Sequence, residues 1–158
     1  MIQASHSLRV AIIGARDASP DGLSFAFEVG KLLAEKGVIV YSGGGAGIMK
    51  STCEGVHSGG GISVGILKGN DLAEANDFVS IPIMTGMGDL RNGILVRSVQ
   101  GAIAVEGAYG TLSEIAYTLG YEKPLVGFQT WDIPGLIPVE TPEDAVETLL
   151  QKIKKAES

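Results

Sequence analysis

The sequence predicts an α/β protein of Rossmann-like, three-layer, doubly wound architecture, with a mostly parallel sheet of six or seven strands. Short apolar runs rich in β-branched residues alternate with stretches of helical periodicity along the chain. The apolar runs are continuous rather than alternating with polar residues, as strands buried on both faces require. Glycine supplies 23 of the 158 residues, about twice its usual share, and it clusters at the ends of the apolar runs. With 45% hydrophobic and 19% charged residues and no Gly-X-Y period, these glycines belong to a folded backbone rather than to a linker or a collagen-like segment.

The elements follow in order. Leu8 to Ile13 is a first strand stopped by Gly14. Asp21 to Lys36 carries apolar residues at helical spacing and ends before Gly37, where a C-terminal glycine belongs. Val38 to Tyr41 is a second strand, and Gly43–Gly45 opens a helix from Ala46 to His57 that Gly59–Gly61 closes. Ile62 to Leu67 and Phe78 to Ile83 are the third and fourth strands, Leu90 to Val99 is a helix, and Ala102 to Val105 is the fifth strand. Thr111 to Leu119 is a helix and Leu125 to Phe128 a sixth strand; Thr141 then caps a last helix with Pro142 in its first position. A chain of this length is expected to form one ligand-binding domain over 1–158, with residues 1–7 frayed.

The formal charge of −6, with no basic cluster before the QKIKK run near the C-terminus, argues against a nucleic-acid partner. No apolar run approaches the length of a membrane span and the N-terminus lacks a signal core, so no membrane association is expected. Cys53 has no disulfide partner and no Cys/His group has metal spacing, which points to a cytoplasmic protein without a metal site.

In a doubly wound sheet, ligands bind beyond the carboxyl ends of the strands, where the strand order reverses. Four loops are expected there: Gly14–Arg16, Ser42–Ala46, Met84–Arg91 and Glu106–Thr111. In the second, Gly43, Gly44, Gly45 and Gly47 precede a helix, whose free N–H groups can cradle a phosphate; close strand–helix packing is the plainer alternative. In the fourth, Gly107, Tyr109, Gly110 and Thr111 offer a similar anion site, although Thr111 and Glu114 also fit a capping box that does no more than start a helix. Arg91 and Asn92 enter a helix near the same edge. Arg91 can aim its fork at a phosphate, or it can be a solvated arginine paired with Asp89. Gly14 and Arg16 are further candidates beside the first strand.

Taken together, GGGAGIM, GDLRN and GAYGTLSE resemble the superfamily of the LOG (Lonely Guy) phosphoribohydrolases and the molybdenum cofactor carrier proteins, over roughly Leu8 to Leu150. LOG enzymes carry P-G-G-x-G-T-x-x-E and cleave the N-glycosidic bond of a nucleoside 5'-monophosphate with that glutamate and a preceding arginine. The resemblance places Gly107, Tyr109, Gly110, Thr111 and Glu114 on that motif and Arg91 on the arginine. Glu106 replaces its proline and Ala108 its second glycine, while Asn92 follows the arginine where LOG enzymes carry lysine. The stretch from Thr85 to Ile115 looks closer to the cofactor-carrier branch. The resemblance therefore implies binding of a nucleotide or molybdopterin-like cofactor, with no cofactor required for chemistry, or else LOG-like hydrolysis by Arg91 and Glu114. It also implies a homo-oligomer, dimer or tetramer. The label "possible lysine decarboxylase", common in this superfamily, finds no Schiff-base lysine to support it.

Overall fold

The computed structural model describes residues 7–158; the expected frayed start falls, except for Ser7, outside them. Strand β1 (Arg9–Gly14) is followed by helix α1 (Pro20–Glu35), β2 (Ile39–Ser42), α2 (Ile48–Ser58), β3 (Ser63–Leu67) and β4 (Ile81–Met84). Then come α3 (Arg91–Arg97), β5 (Gly101–Val105), α4 (Tyr109–Gly120), β6 (Leu125–Phe128), the short β7 (Ile137–Pro138) and α5 (Pro142–Ala156). All seven strands form one sheet in the order β4-β3-β2-β1-β5-β6-β7, and every pairing is parallel. The chain thus winds outward from β1 to β4, returns to the other side of β1, and winds outward again.

Successive residues of a strand point to opposite faces, and β1 shows what that requires of a central strand. Val10 and Ile12 enter one core with Phe25, Val29 and Leu33 of α1, Ile48 and Val56 of α2, and Val146 and Leu149 of α5. Ala11 and Ile13 enter the other with Leu95 of α3 and Ile115 of α4. Neither face of β1 can accept a polar residue, which explains the unbroken apolar run in the sequence.

Several element boundaries differ from those expected, for local reasons. Strand β4 begins at Ile81 rather than Phe78, because Asn76 folds the chain ahead of it into a turn. Its side-chain oxygen accepts from the Phe78 amide at 3.0 Å and its carbonyl accepts from the Val79 amide at 3.2 Å. Helix α3 ends at Arg97, where Ser98 Oγ bonds back to the Ile94 carbonyl at 2.7 Å and Lys123 Nζ takes the Val96 carbonyl at 2.7 Å. Helix α5 is capped as its sequence predicts, with Thr141 Oγ1 accepting from the Asp144 amide at 3.1 Å. No helix among the described residues is long and apolar enough to cross a membrane.

Helices α1 and α2 approach so closely that side chains are excluded from their contact. A Cβ on Gly55 would lie 2.0 Å from the Phe27 carbonyl oxygen, and one on Gly30 would lie 2.3 Å from that of Thr52. Backbone on both sides leaves no flexible atom to yield. Gly55→Ala is accordingly expected to lower stability by about 2–3 kcal/mol through forced separation of the two helices, read as a lower urea midpoint with an unchanged m-value.

Candidate functional site

The reversal of strand order at β1 opens a crevice between the carboxyl ends of β1 and β5. A cavity of about 590 Å³ occupies it, lined by residues of all four glycine-containing or arginine-bearing loops expected there. That volume lies within the usual range for small-molecule sites.

Of the residues expected at the site, Gly14, Arg16, Gly43, Gly45, Arg91, Asn92, Gly107, Gly110, Thr111 and Glu114 line this cavity. Gly44, Gly47 and Tyr109 do not, and each has a different position. Gly44 has φ +72 and is tucked beneath the loop, where a Cβ would meet Leu67 Cδ2 at 2.7 Å. Gly47 has φ +67 and packs on the Arg16 carbonyl oxygen, 2.1 Å from where its Cβ would be. These two serve the close packing that was the plainer reading of the loop. Tyr109 is 81% exposed, with its ring beside Trp131 at a centroid distance of 6.2 Å.

Arg91 is not the solvated, Asp89-paired residue that its position at a helix start allowed. It is only 6% exposed, and its Nη1 donates to the Ile66 carbonyl at 2.9 Å. The guanidinium lies flat against the first glycine loop, where a Cβ on Gly43 would come within 2.0 Å of Nη1. Gly43 is therefore glycine because an arginine occupies the space. Asp89 instead pairs with Lys68 at 2.6 Å. Burial pushes the Arg91 pKa below its ordinary value, and the negative charges of Glu114 and Asp89 oppose that shift. An arginine still remains a cation at neutral pH.

Three buried side-chain polar atoms among the described residues have no hydrogen-bond partner, and two of them belong to residues that line this cavity: Arg91 Nε and Asn92 Oδ1. Asn92 spends its amide on Ser113 Oγ at 3.0 Å, so its free atom is an acceptor. An unpaired buried polar atom costs about 1–3 kcal/mol, which a ligand group of matching polarity recovers.

Helix α4 begins at Tyr109, two residues before the expected Thr111, and no side chain caps it. The capping box is thus not formed. Thr111 is buried inside the first turn, against Gly107, whose φ of +112 and contact with Thr111 Cβ both exclude a side chain. Glu114, released from capping, lies one turn further in, on the cavity wall. Removal from water raises its pKa to about 7, against the opposing pull of Arg91 and Lys68.

Glu106 has φ +53 and directs its carboxylate away from α4, onto the start of α1. There Oε2 accepts from the Ser19 amide at 3.0 Å and Oε1 from the Ser19 hydroxyl. The cavity wall also includes Lys68 and Glu74, which sequence reasoning did not single out. Lys68 directly follows β3 and so stands at the same edge as the glycine loops. That position, rather than any motif, is the signal that identifies it.

A family model described as the SLOG cluster4 family matches residues 7–157 of the chain. An uncharacterized protein of Archaeoglobus fulgidus is 40% identical over 141 residues, covering 88% of this chain and 92% of that protein. The cytokinin riboside 5'-monophosphate phosphoribohydrolase LOG of rice (Oryza sativa subsp. japonica) is 31% identical over 116 residues, covering 68% of this chain and 48% of the rice protein. The chain thus spans about half the length of that enzyme. Among solved structures, the molybdenum cofactor binding protein of Rippkaea orientalis superposes with a TM-score of 0.88 at 28% identity, covering 98% of this chain and 100% of the other.

The raised pKa of Glu114 has a measurable consequence for stability. Between pH 4.5 and about 7 the folded protein keeps a proton that the unfolded chain has released. Stability is therefore greatest below that window and falls as pH rises through it. Glu114→Gln, which keeps the shape without the charge, is expected to exceed the wild type by about 2–3 kcal/mol at pH 8 and to match it at pH 4. Urea denaturation at the two pH values measures the difference.

Proposed function

The chain belongs to the SLOG cluster4 family, and from that premise we propose that it binds a small phosphorylated ligand, a nucleotide or a molybdopterin-like cofactor, across the carboxyl edge of its sheet. The observation that carries this reading is Arg91: a residue that lines the cavity, with a buried guanidinium fixed by Ile66 and Gly43 and an Nε left unpaired. A fixed cation with an unspent donor suits a phosphate oxygen better than a neutral group. The uncapped start of α4 supplies backbone N–H groups at Gly110 and Thr111 for the remaining oxygens. Asn92 Oδ1 then accepts from an N–H or O–H elsewhere on the ligand. The residues present therefore fit the phosphate end of either ligand class. Similarity over nearly all of both chains to a molybdenum cofactor binding protein supports binding without turnover.

One observation favours a second reading, LOG-like hydrolysis of a nucleoside 5'-monophosphate. Glu114, with a pKa of about 7 beside Arg91, can exist in either protonation state at neutral pH. In that reaction water adds to the ribose anomeric carbon as the bond to the base nitrogen breaks. The Glu114 carboxylate offsets the developing ribosyl cation or takes the proton of water, and Arg91 stabilises the leaving side.

Self-association belongs to the same reading. Ile81, Ile83 and Met84 on the edge strand β4, with Met87, Leu90 and Ile94 beyond it, all expose large apolar side chains, and a second copy would cover such a surface. A lone buried thiol at Cys53 suits a cytoplasmic setting.

Mass spectrometry of the small molecules that copurify with the native protein is expected to find a phosphorylated compound. Arg91→Ala should lose it, with a fall in affinity of about 30- to 100-fold while thermal unfolding stays cooperative. With AMP as the probe, the binding reading expects no release of adenine and ribose 5-phosphate at high protein concentration. Release that Glu114→Gln abolishes would establish the hydrolase instead.

A further inference from the structure

The cavity holds a carboxylate that the phosphate reading neither needs nor explains. Glu106 directly follows β5 and immediately precedes the Gly107–Thr111 loop, yet its side chain turns toward Ser19 at the start of α1. Its backbone takes a left-handed conformation, φ +53, that L residues other than Asn and Asp adopt reluctantly. The backbone is pinned in place: the Glu106 amide donates to the Phe128 carbonyl at 3.0 Å, and Thr130 Oγ1 donates to the Glu106 carbonyl at 2.6 Å. The carboxylate then receives the Ser19 amide and the Ser19 hydroxyl at the start of α1. Ser19 Oγ in turn accepts from the Gly22 amide at 3.0 Å as the helix N-cap. Space is kept for this arrangement, since a Cβ on Gly22 would stand 2.4 Å from Glu106 Oε1.

The carboxylate oxygens thus take the place that anionic oxygens of a ligand would take at the N-terminus of a sixteen-residue helix. Resting on the phosphate reading above, we propose that Glu106 is a specificity-determining residue: its carboxylate closes the cavity on the side toward Ser19, so that the site admits ligands carrying a single phosphate group and rejects diphosphates. A second phosphate extending from the Gly107–Thr111 loop toward α1 meets a fixed negative charge instead of the Ser19 amide and hydroxyl. Rejection by a like charge is selection against the wrong ligand, and it costs nothing toward a ligand that ends at the first phosphate.

Inorganic phosphate and pyrophosphate, titrated into the 158-residue chain and followed by amide shifts in ¹⁵N–¹H spectra, test this. In the wild type, phosphate is expected to shift the Gly110 and Thr111 amides and not those of Ser19 and Gly22, with pyrophosphate binding no tighter. Glu106→Gly suits the left-handed backbone and removes the charge; Glu106→Gln keeps the side chain's size. In both, pyrophosphate affinity is expected to rise about tenfold or more relative to phosphate, with new shifts at Ser19 and Gly22. An unchanged ratio in both variants, with phosphate still shifting Gly110 and Thr111, would overturn the role of Glu106 alone. Absence of any phosphate shift at Gly110 and Thr111 in the wild type would overturn the phosphate site itself, and the proposal with it.

Discussion

Gly14 ends the central strand at a point where three parts of the chain meet. A Cβ there would lie 2.4 Å from the Val105 carbonyl oxygen of β5 and 2.7 Å from Ile48 Cγ2 of α2. The contact with β5 lets the sheet continue on the far side of β1 after three strands, β2 to β4, have been laid down on the near side. The contact with α2 brings that helix over the carboxyl end of β1. Everything at the crevice hangs from this junction, because the first glycine loop, the β5–α4 loop and the α1 start are all positioned by elements that converge on it.

Two physical kinds of glycine stand out within the excess. Gly30 and Gly55 are small because another backbone occupies the adjacent space, and Gly43 because a guanidinium does. Gly44, Gly47 and Gly107 combine crowding with positive φ, so neither space nor backbone would accept a side chain. Only some of these touch the cavity. The phosphate-loop look of GGGAGIM is therefore partly the signature of a helix drawn tightly onto a strand end, with the site built in the space that this packing leaves open.

The sheet was legible in the sequence because its central strands are buried on both faces, which compresses the pattern into unbroken apolar runs. Where one polar side chain decides the local conformation, as Asn76 does ahead of β4, the apolar count gave a strand that starts too early. The site was legible as a set of loops but not as a set of roles. Thr111 and Glu114 have the spacing of a capping box, and only the earlier start of α4 at Tyr109 moves both side chains to the cavity wall. Arg91 looked as ready for solvent as for a ligand, because the residues that bury it, Ile66 and Gly43, belong to other elements. Local spacing carries no information about such contacts.

The packing of Gly22 against the Glu106 carboxylate ties two positions far apart in the chain. Any larger residue at 22 competes with Oε1 for the same volume, and the flexible carboxylate is the partner that yields. Its displacement would leave α1 intact while shifting a negative charge within the crevice. A buried residue in the first turn of α1 thereby acquires a hold over the electrostatics of the crevice.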